Sequence, residues 1–329
     1  TNVVIPTMVN GMPVKVLGAS VFENNTTIES CIGESIEVIK DNCFNACEAL
    51  VSVDFPVATK IGNYSFRNND MLKSVNIPMA LEIGNYGFGD SIALTQIDLP
   101  KVTTLGNYAF YGSALVSIAF PEVVSVGSNC FQNCRKLTTV NLPKATSIDA
   151  YGFYSASELE IINAPLVDTL GSNVFYQCSS LTDISFPNVT MIPASCFKSC
   201  SLITSFSSDK VTNVGQEAFA YCSKLATINL PNATAVGNDA FTYVHGLVNV
   251  TLPKVTSLGS NAFARCSYLK TFEAPIATSI GGYCFDNCTR LEVIDIQMAK
   301  TLGSYCLRNC TALNPHLVFR QIQTINSQI

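Results

Sequence analysis

The sequence predicts a solenoid of stacked coils, each about 22 residues long. One face should carry a parallel β-sheet, and the other short strands and single helical turns. Three observations predict it. A Phe recurs at a fixed interval along nearly the whole chain. A strand-like segment, closed by Pro, follows each Phe at a fixed offset. The repeating unit is too short to bury an apolar face by itself, so it must stack.

Phe22, Phe44, Phe66, Phe88, Phe110, Phe131, Phe153, Phe175, Phe197, Phe219, Phe241, Phe263, Phe285 and Leu307 hold one position. Twelve of the thirteen intervals are 22 residues, and that from Phe110 to Phe131 is 21. With the Phe as position zero, each repeat reads F-x-x-C-x-x-L-x-x-I-x-L-P-x-x-x-x-I-G-x-x-A-F.

The L-x-x-I-x-L part, as in "LTTVNL" (137–142) and "LATINL" (225–230), ends on a period of two, the signature of a strand with one buried face. Pro follows in most coils, for example Pro56, Pro143 and Pro253, and suits a strand's end because it lacks an N–H. A second extended piece, "VTSLG" (255–259) or "ATSIG" (277–281), leads into a turn. Gly fills that turn in most coils, while Pro193 and Asp149 replace it in two. Because Pro cannot take a positive φ, the Pro193 coil does not need one there. "SNAFARC" (260–266) then reads as one helical turn that brings Phe and Cys inward.

Strand neighbours lie about 4.8 Å apart, so the coils would build one elongated domain on the order of 65 Å long. Its expected parts are an N-terminal coil (1–22), repeats (22–313) and a capping or truncation tail (314–329). The start at Thr1, with no Met and no signal-like stretch, predicts a processed or trimmed chain.

Composition excludes several classes of function. Charged residues are only 13% and the net charge is -5, so there is no basic footprint for nucleic acid. No apolar run approaches the roughly 18 residues of a membrane span, so no membrane insertion is expected. His245 and His316 are the only histidines, and Trp is absent, which leaves little material for histidine-centred chemistry. No P-loop, G-x-S-x-G, dinucleotide fingerprint or H-E-x-x-H occurs.

L-x-x-I-x-L-P followed by I-G-x-x-A-F-x-x-C, over roughly residues 4 to 313, closely resembles the BspA-like, or Treponema pallidum type, leucine-rich repeats. The start at 3–22 is similar to the first coil of such proteins. Ser208-Asp209 and Gln297 depart from the L-P end in two coils, and the pattern decays after Leu313. The resemblance implies a right-handed leucine-rich-repeat solenoid in a surface-exposed or secreted protein. Some members of that family are adhesins for host matrix proteins or other bacteria. The family brings no catalytic residues and no cofactor.

Five cysteine pairs share one spacing, at Cys43/Cys47, Cys130/Cys134, Cys196/Cys200, Cys284/Cys288 and Cys306/Cys310. The column before the Phe also holds Ala, Gly and Val, and the column three after it holds Ala, Ser, Asn and Val. Metal or redox chemistry would not tolerate such replacements, so a packing role for small residues is expected. Disulfides between neighbouring coils are the alternative, since coil spacing falls inside the Cα range of a bridge. Runs of three, such as Cys178, Cys200 and Cys222, cannot pair evenly. Cys31 stands alone at a core position of its strand.

The open sheet face is the expected binding surface. Positions eight and ten should point outward. Position ten supplies the candidate residues Asp54, Asn76, Asp98, Asn141, Asn163, Ser185, Asn229, Thr251, Glu273 and Asp295. This polar track suits a protein or glycan partner, although any solvated strand face is polar. It holds no aromatic ring for sugar stacking. Its four acids, Asp54, Asp98, Glu273 and Asp295, look scattered and so unsuited to calcium, and no metal is expected. A second candidate patch is Tyr64, Tyr86 and Tyr108, two residues before the Phe, whose rings either offer contact area or cover neighbouring coils. The expected function is non-enzymatic binding at the cell surface or outside the cell by a monomer. The partner would be a host matrix protein, another cell-surface protein or a glycan. The alternative is a structural spacer that presents another domain.

Overall fold

The computed structural model describes residues 1–314 and 321–326. The chain divides into two compact units, Thr1–Leu166 and Val167–Ile329.

The first unit is a parallel β-solenoid with two ladders. Strands Ser30–Ile32, Ser52–Asp54 and Ser74–Asn76 pair in register, Cys31 to Val53 to Val75, with Asn2–Val4 added on the outer side. Farther along, Ser117–Ala119, Thr139–Asn141 and Ile161–Asn163 pair the same way. The second ladder runs from Val16–Leu17 to Ser147–Ile148 through one two-residue strand per coil. Before it, Met8–Val9 and Met12–Pro13 form an antiparallel hairpin. Its turn residues, Asn10 and Gly11, both have positive φ (52° and 75°), as a tight Asn-Gly hairpin turn requires.

The second unit repeats the scheme. Ser205–Ser207 pairs with Thr227–Asn229, and Asn249–Thr251, Thr271–Glu273 and Val293–Asp295 form a three-stranded sheet. Its second ladder runs from Met191–Ile192 to Thr301–Leu302. Thr324–Ile325 adds one more parallel strand to that edge. Of the expected tail, 315–320, with His316, and 327–329 lie outside the described residues.

The Phe column is the core of each unit. Phe44, Phe66, Phe88, Phe110, Phe131 and Phe153 are 0% exposed. Their rings stack coil upon coil, with centroids 5.1 Å apart for Phe44 and Phe66 and 5.5 Å for Phe88 and Phe110. Phe197, Phe219 and Phe241 stack likewise, at 5.2 and 5.3 Å. Each such pair adds about 0.5–1.5 kcal/mol beyond the area it buries.

One sequence expectation is corrected here. The segment expected as a helical turn is a run of turns, and no helix occurs among the described residues. In 260–266, φ is positive at Asn261 (54°) and Arg265 (60°), which a right-handed helix forbids. The same two offsets, two before and two after the Phe, are left-handed in every coil from Ser20 to Asn309. At the glycine turn, Gly62, Gly84 and Gly106 have no positive φ. A Cβ on Gly84 would stand 2.6 Å from the Gly62 carbonyl carbon, and one on Gly106 would stand 2.7 Å from the Asn85 nitrogen. Glycine is required there because the coils touch backbone to backbone.

Candidate functional site

The sheet face carries the candidate residues. Strand alternation sets its polarity: Val53, Val140 and Phe272 point inward and are at most 2% exposed, while the residues flanking them point out. Asn76, Asp98, Asn141, Asn163, Ser185, Asn229, Thr251 and Glu273 are exposed, and Asp54 and Asp295 are half-buried.

Parallel register brings several of them side by side. In the first unit Asn76 Nδ2 donates to Asp54 Oδ1 at 2.7 Å, and Asn163 Nδ2 donates to Asn141 Oδ1 at 2.7 Å. In the second, Asn229 Nδ2 donates to Ser207 Oγ at 3.1 Å, and Thr251 Oγ1 donates to Glu273 Oε2 at 3.3 Å. An asparagine that donates once to its neighbour keeps an N–H and acceptor capacity for a partner. The acids are less scattered than the sequence suggested. Glu273 and Asp295 are direct register partners, because their coils are consecutive. No group of three or more His, Cys, Asp and Glu able to hold a metal occurs among the described residues.

Asp98 stands apart. Residues 96–98 form no strand, and the ladder is open between Ser74–Asn76 and Ser117–Ala119. A cleft of ≈ 450 Å³ lies there, lined by Lys73, Ser74, Val75, Gln96, Ile97, Asp98, Ser117 and Ala119.

The second candidate patch is assembled on the turn side of the same unit. Tyr64 and Tyr86 stack at 5.2 Å, and Tyr86 and Tyr108 at 4.4 Å with planes 3° apart. The Arg67 guanidinium lies 4.6 Å from the Tyr86 ring centroid, while its Nε is 3.5 Å from Asp90 Oδ2. All three rings are half-buried, and their backbones are left-handed (φ 54–59°), which is uncommon for Tyr. Burial, then the neighbouring Tyr108, raises the Tyr86 phenol pKa above its ordinary value. The ring faces are spent on one another, so edges and hydroxyls are what this patch presents.

All fourteen cysteines are buried free thiols. Burial pushes Cys47 up to about 11 and Cys134 up to about 12, so neither is a thiolate near neutral pH.

The BspA type leucine rich repeat region matches this chain in six copies, spanning residues 15–135, 103–226, 146–270 and 234–329. The chain belongs to that family. Its fold is similar to a leucine rich cell surface protein from Faecalibacterium prausnitzii, at 22% identity and TM-score 0.50, over 99% of this chain and 87% of that one. A leucine-rich repeat protein from Bacteroides ovatus gives 20% identity and TM-score 0.50, over 99% of this chain and 92% of that one. These likenesses show the fold. No curated protein matches the sequence.

In this BspA-type chain the column three after the Phe does more than fill space. Cys47, Cys134, Cys200 and Cys222 each donate Sγ–H to the carbonyl of the preceding coil's Phe, at 3.0–3.1 Å. Asn69 Nδ2 and Ser91 Oγ make the same bond, to Phe44 O and Phe66 O, both at 3.0 Å. Sequence reasoning treated this column as small residues of any chemistry. The signal was present: Asn25, Asn69, Ser91 and Ser113 share with Cys the ability to donate. The break in the ladder at 96–98 was missed as well; it recurs between Thr227–Asn229 and Asn249–Thr251, where the coils keep their 22-residue spacing, so the shortened interval does not signal it.

Proposed function

We propose that this protein is a non-enzymatic binding protein of the cell surface or extracellular space, which contacts a protein or glycan partner through its sheet face. The observation that carries this reading is the register of exposed polar side chains along both units. Asn141 and Asn163, like Asn229 and Ser207, are held side by side by hydrogen bonds and by the strands beneath them. Side chains ordered before contact lose less entropy on binding. Many weak contacts along several coils would then sum to useful affinity.

Membership of the BspA type leucine-rich repeats supports a binding or scaffold role, and no catalytic family is indicated. The Faecalibacterium prausnitzii protein is described as a cell surface protein, which supports the same location for this chain. No helix among the described residues is long and apolar enough to cross a membrane.

The reading takes residues 1–329 as one domain; one coincident unfolding transition by circular dichroism and tyrosine fluorescence is expected, and two separated transitions oppose it. The binding test is a solid-phase screen against matrix proteins, mucins and a glycan array, with the triple variant Asn141→Ala, Asn163→Ala, Asn229→Ala in parallel. A saturable partner lost by the variant is the expected result. A partner kept by the variant moves the site to Tyr64, Tyr86 and Tyr108, and no partner at all favours a spacer.

A further inference from the structure

Three consecutive coils of the first unit share the run Gly-Asn-Tyr, at 62–64, 84–86 and 106–108, and no other coil has it. Its asparagines form a ladder of their own. The Asn63 N–H donates to Asp41 Oδ1 and the Asn85 N–H to Asn63 Oδ1, both at 2.8 Å. The Asn107 N–H donates to Asn85 Oδ1 at 2.8 Å, and the Ser128 N–H to Asn107 Oδ1 at 2.9 Å. A backbone N–H can only donate, so each bond fixes which side-chain atom is the oxygen and leaves Nδ2 for another partner. Asn85 and Asn107 are exposed, and their Nδ2 groups make no hydrogen bond among the described residues. Asn63 Nδ2 donates once, to Asp41 Oδ2 at 3.3 Å, and keeps its second N–H. In the second unit Asn238 Oδ1 accepts from the Ser260 N–H in the same way, at 2.9 Å, but Gln216 and Ser260 flank it in its column and no asparagine ladder forms.

A cleft of ≈ 250 Å³ follows this ladder. Gly62, Gly84 and Gly106, which carry no side chain, form its floor. Asn63 and Asn85 line one side, and Thr104 with the ion pair of Lys60 and Glu82, closed at 3.0 Å, lines the other. The volume is below the roughly 300–1,000 Å³ of pockets that enclose a compact ligand, and it suits a chain lying along an open groove. Among the lining residues Asp41 and Glu82 outnumber Lys60, so the cleft opposes an anionic ligand.

We propose that this cleft binds a neutral oligosaccharide chain, laid across the coils so that successive sugar residues accept from Asn63, Asn85 and Asn107. The site lies away from the sheet face and does not rest on that reading. Its donors are locked before contact, because the bond each Oδ1 accepts holds the side chain in place, so little further freedom is lost on binding. They recur once per coil, about 4.8 Å apart. Each hexose of an extended oligosaccharide advances by about one such step and offers hydroxyl and ring oxygens at every step. An extended peptide fits worse, since its same-side carbonyls recur every second residue, about 6.7 Å apart. The glycine floor lets a flat sugar ring approach the backbone closely.

The test is a titration of the full chain, followed by the side-chain amide NMR signals of its asparagines. The probes are the linear hexasaccharides of glucose, mannose, galactose and N-acetylglucosamine. At least one should shift the Asn85 and Asn107 signals saturably. No saturable shift with any of them, or a shift confined to Asn141 and Asn163 on the sheet face, overturns the proposal. A hyaluronan hexasaccharide, which is anionic, and a capped hexathreonine peptide should each bind at least about tenfold more weakly than that probe. Equal binding by either overturns the assignment to a neutral glycan. The double variant Asn85→Ala, Asn107→Ala should lose at least about tenfold in affinity by calorimetry, while Asn238→Ala, which removes the same kind of backbone bond in the second unit, should lose none. Unchanged affinity in the double variant overturns the site. If that variant fails to fold, the Asn85 and Asn107 signals of the unaltered protein decide by themselves. The triple sheet-face variant should keep this binding, so the cleft and the sheet-face reading can fail separately.

Discussion

Two columns of the coil are both rich in cysteine and behave differently. Cys43, Cys130, Cys196, Cys284 and Cys306 stand just before the Phe and donate to no carbonyl among the described residues. Cys47, Cys134, Cys266 and Cys288, three after it, close a bond to the Phe carbonyl one coil back. Both sets are buried. The first fills volume without a bond to the Phe carbonyl, and the second adds one donor to that carbonyl. Identical residues at equal burial can therefore answer to different physical demands.

The largest effect comes from removing the ring on which both columns pack. Phe131→Ala deletes a fully buried ring from the middle of the stack and should lower stability by about 3–5 kcal/mol in urea unfolding. A loss under about 1 kcal/mol would mean that the coils repack around the gap.

Alkaline titration breaks both columns at once. Through burial first, Cys134 rises from an ordinary value of 9.0 to about 12 and Cys47 to about 11 in one column, and Cys306 to about 11 in the other. A raised folded-state pKa stabilises below the unfolded value and is lost as pH climbs toward the folded one. Stability should therefore hold up to pH 9.0 and fall between there and about 12. A profile that stays flat across that window would show that the thiols do not ionise on unfolding.

Alanine substitution separates the columns. Cys134→Ala removes the donor to Phe110 O as well as volume and should cost about 1–3 kcal/mol. Cys130→Ala removes volume alone, at a position that Ala109 and Ala218 hold in other coils, and should cost less than about 1 kcal/mol. Equal costs in thermal unfolding would erase the distinction drawn above. The smallest effect is a gain. Ala46 lies between the Phe and Cys47 with φ at 56°, a strained conformation for a residue with a Cβ. Ala46→Gly should raise stability by a few tenths to about 1 kcal/mol, read from the shift in the urea midpoint. A fall instead would mean that the added freedom of the unfolded chain outweighs the relief of strain.

The sequence by itself determined the period, the strand positions, the buried face and the Phe core. Those features arise from repetition within one coil, and repetition is visible in one dimension. It also sorted the outward column correctly, because alternation along a strand needs no neighbour. Tertiary structure decided what depends on the space between coils. The glycine turns are required by backbone contact with the coil below, which no local φ rule reveals. Asn69, Ser91 and the cysteines became one donor column only when the Phe carbonyl of the preceding coil came within reach. Glu273 met Asp295 through register. The breaks in the sheet at 96–98 and between Thr227–Asn229 and Asn249–Thr251 were not legible, because strand pairing is a property of two coils and never of one.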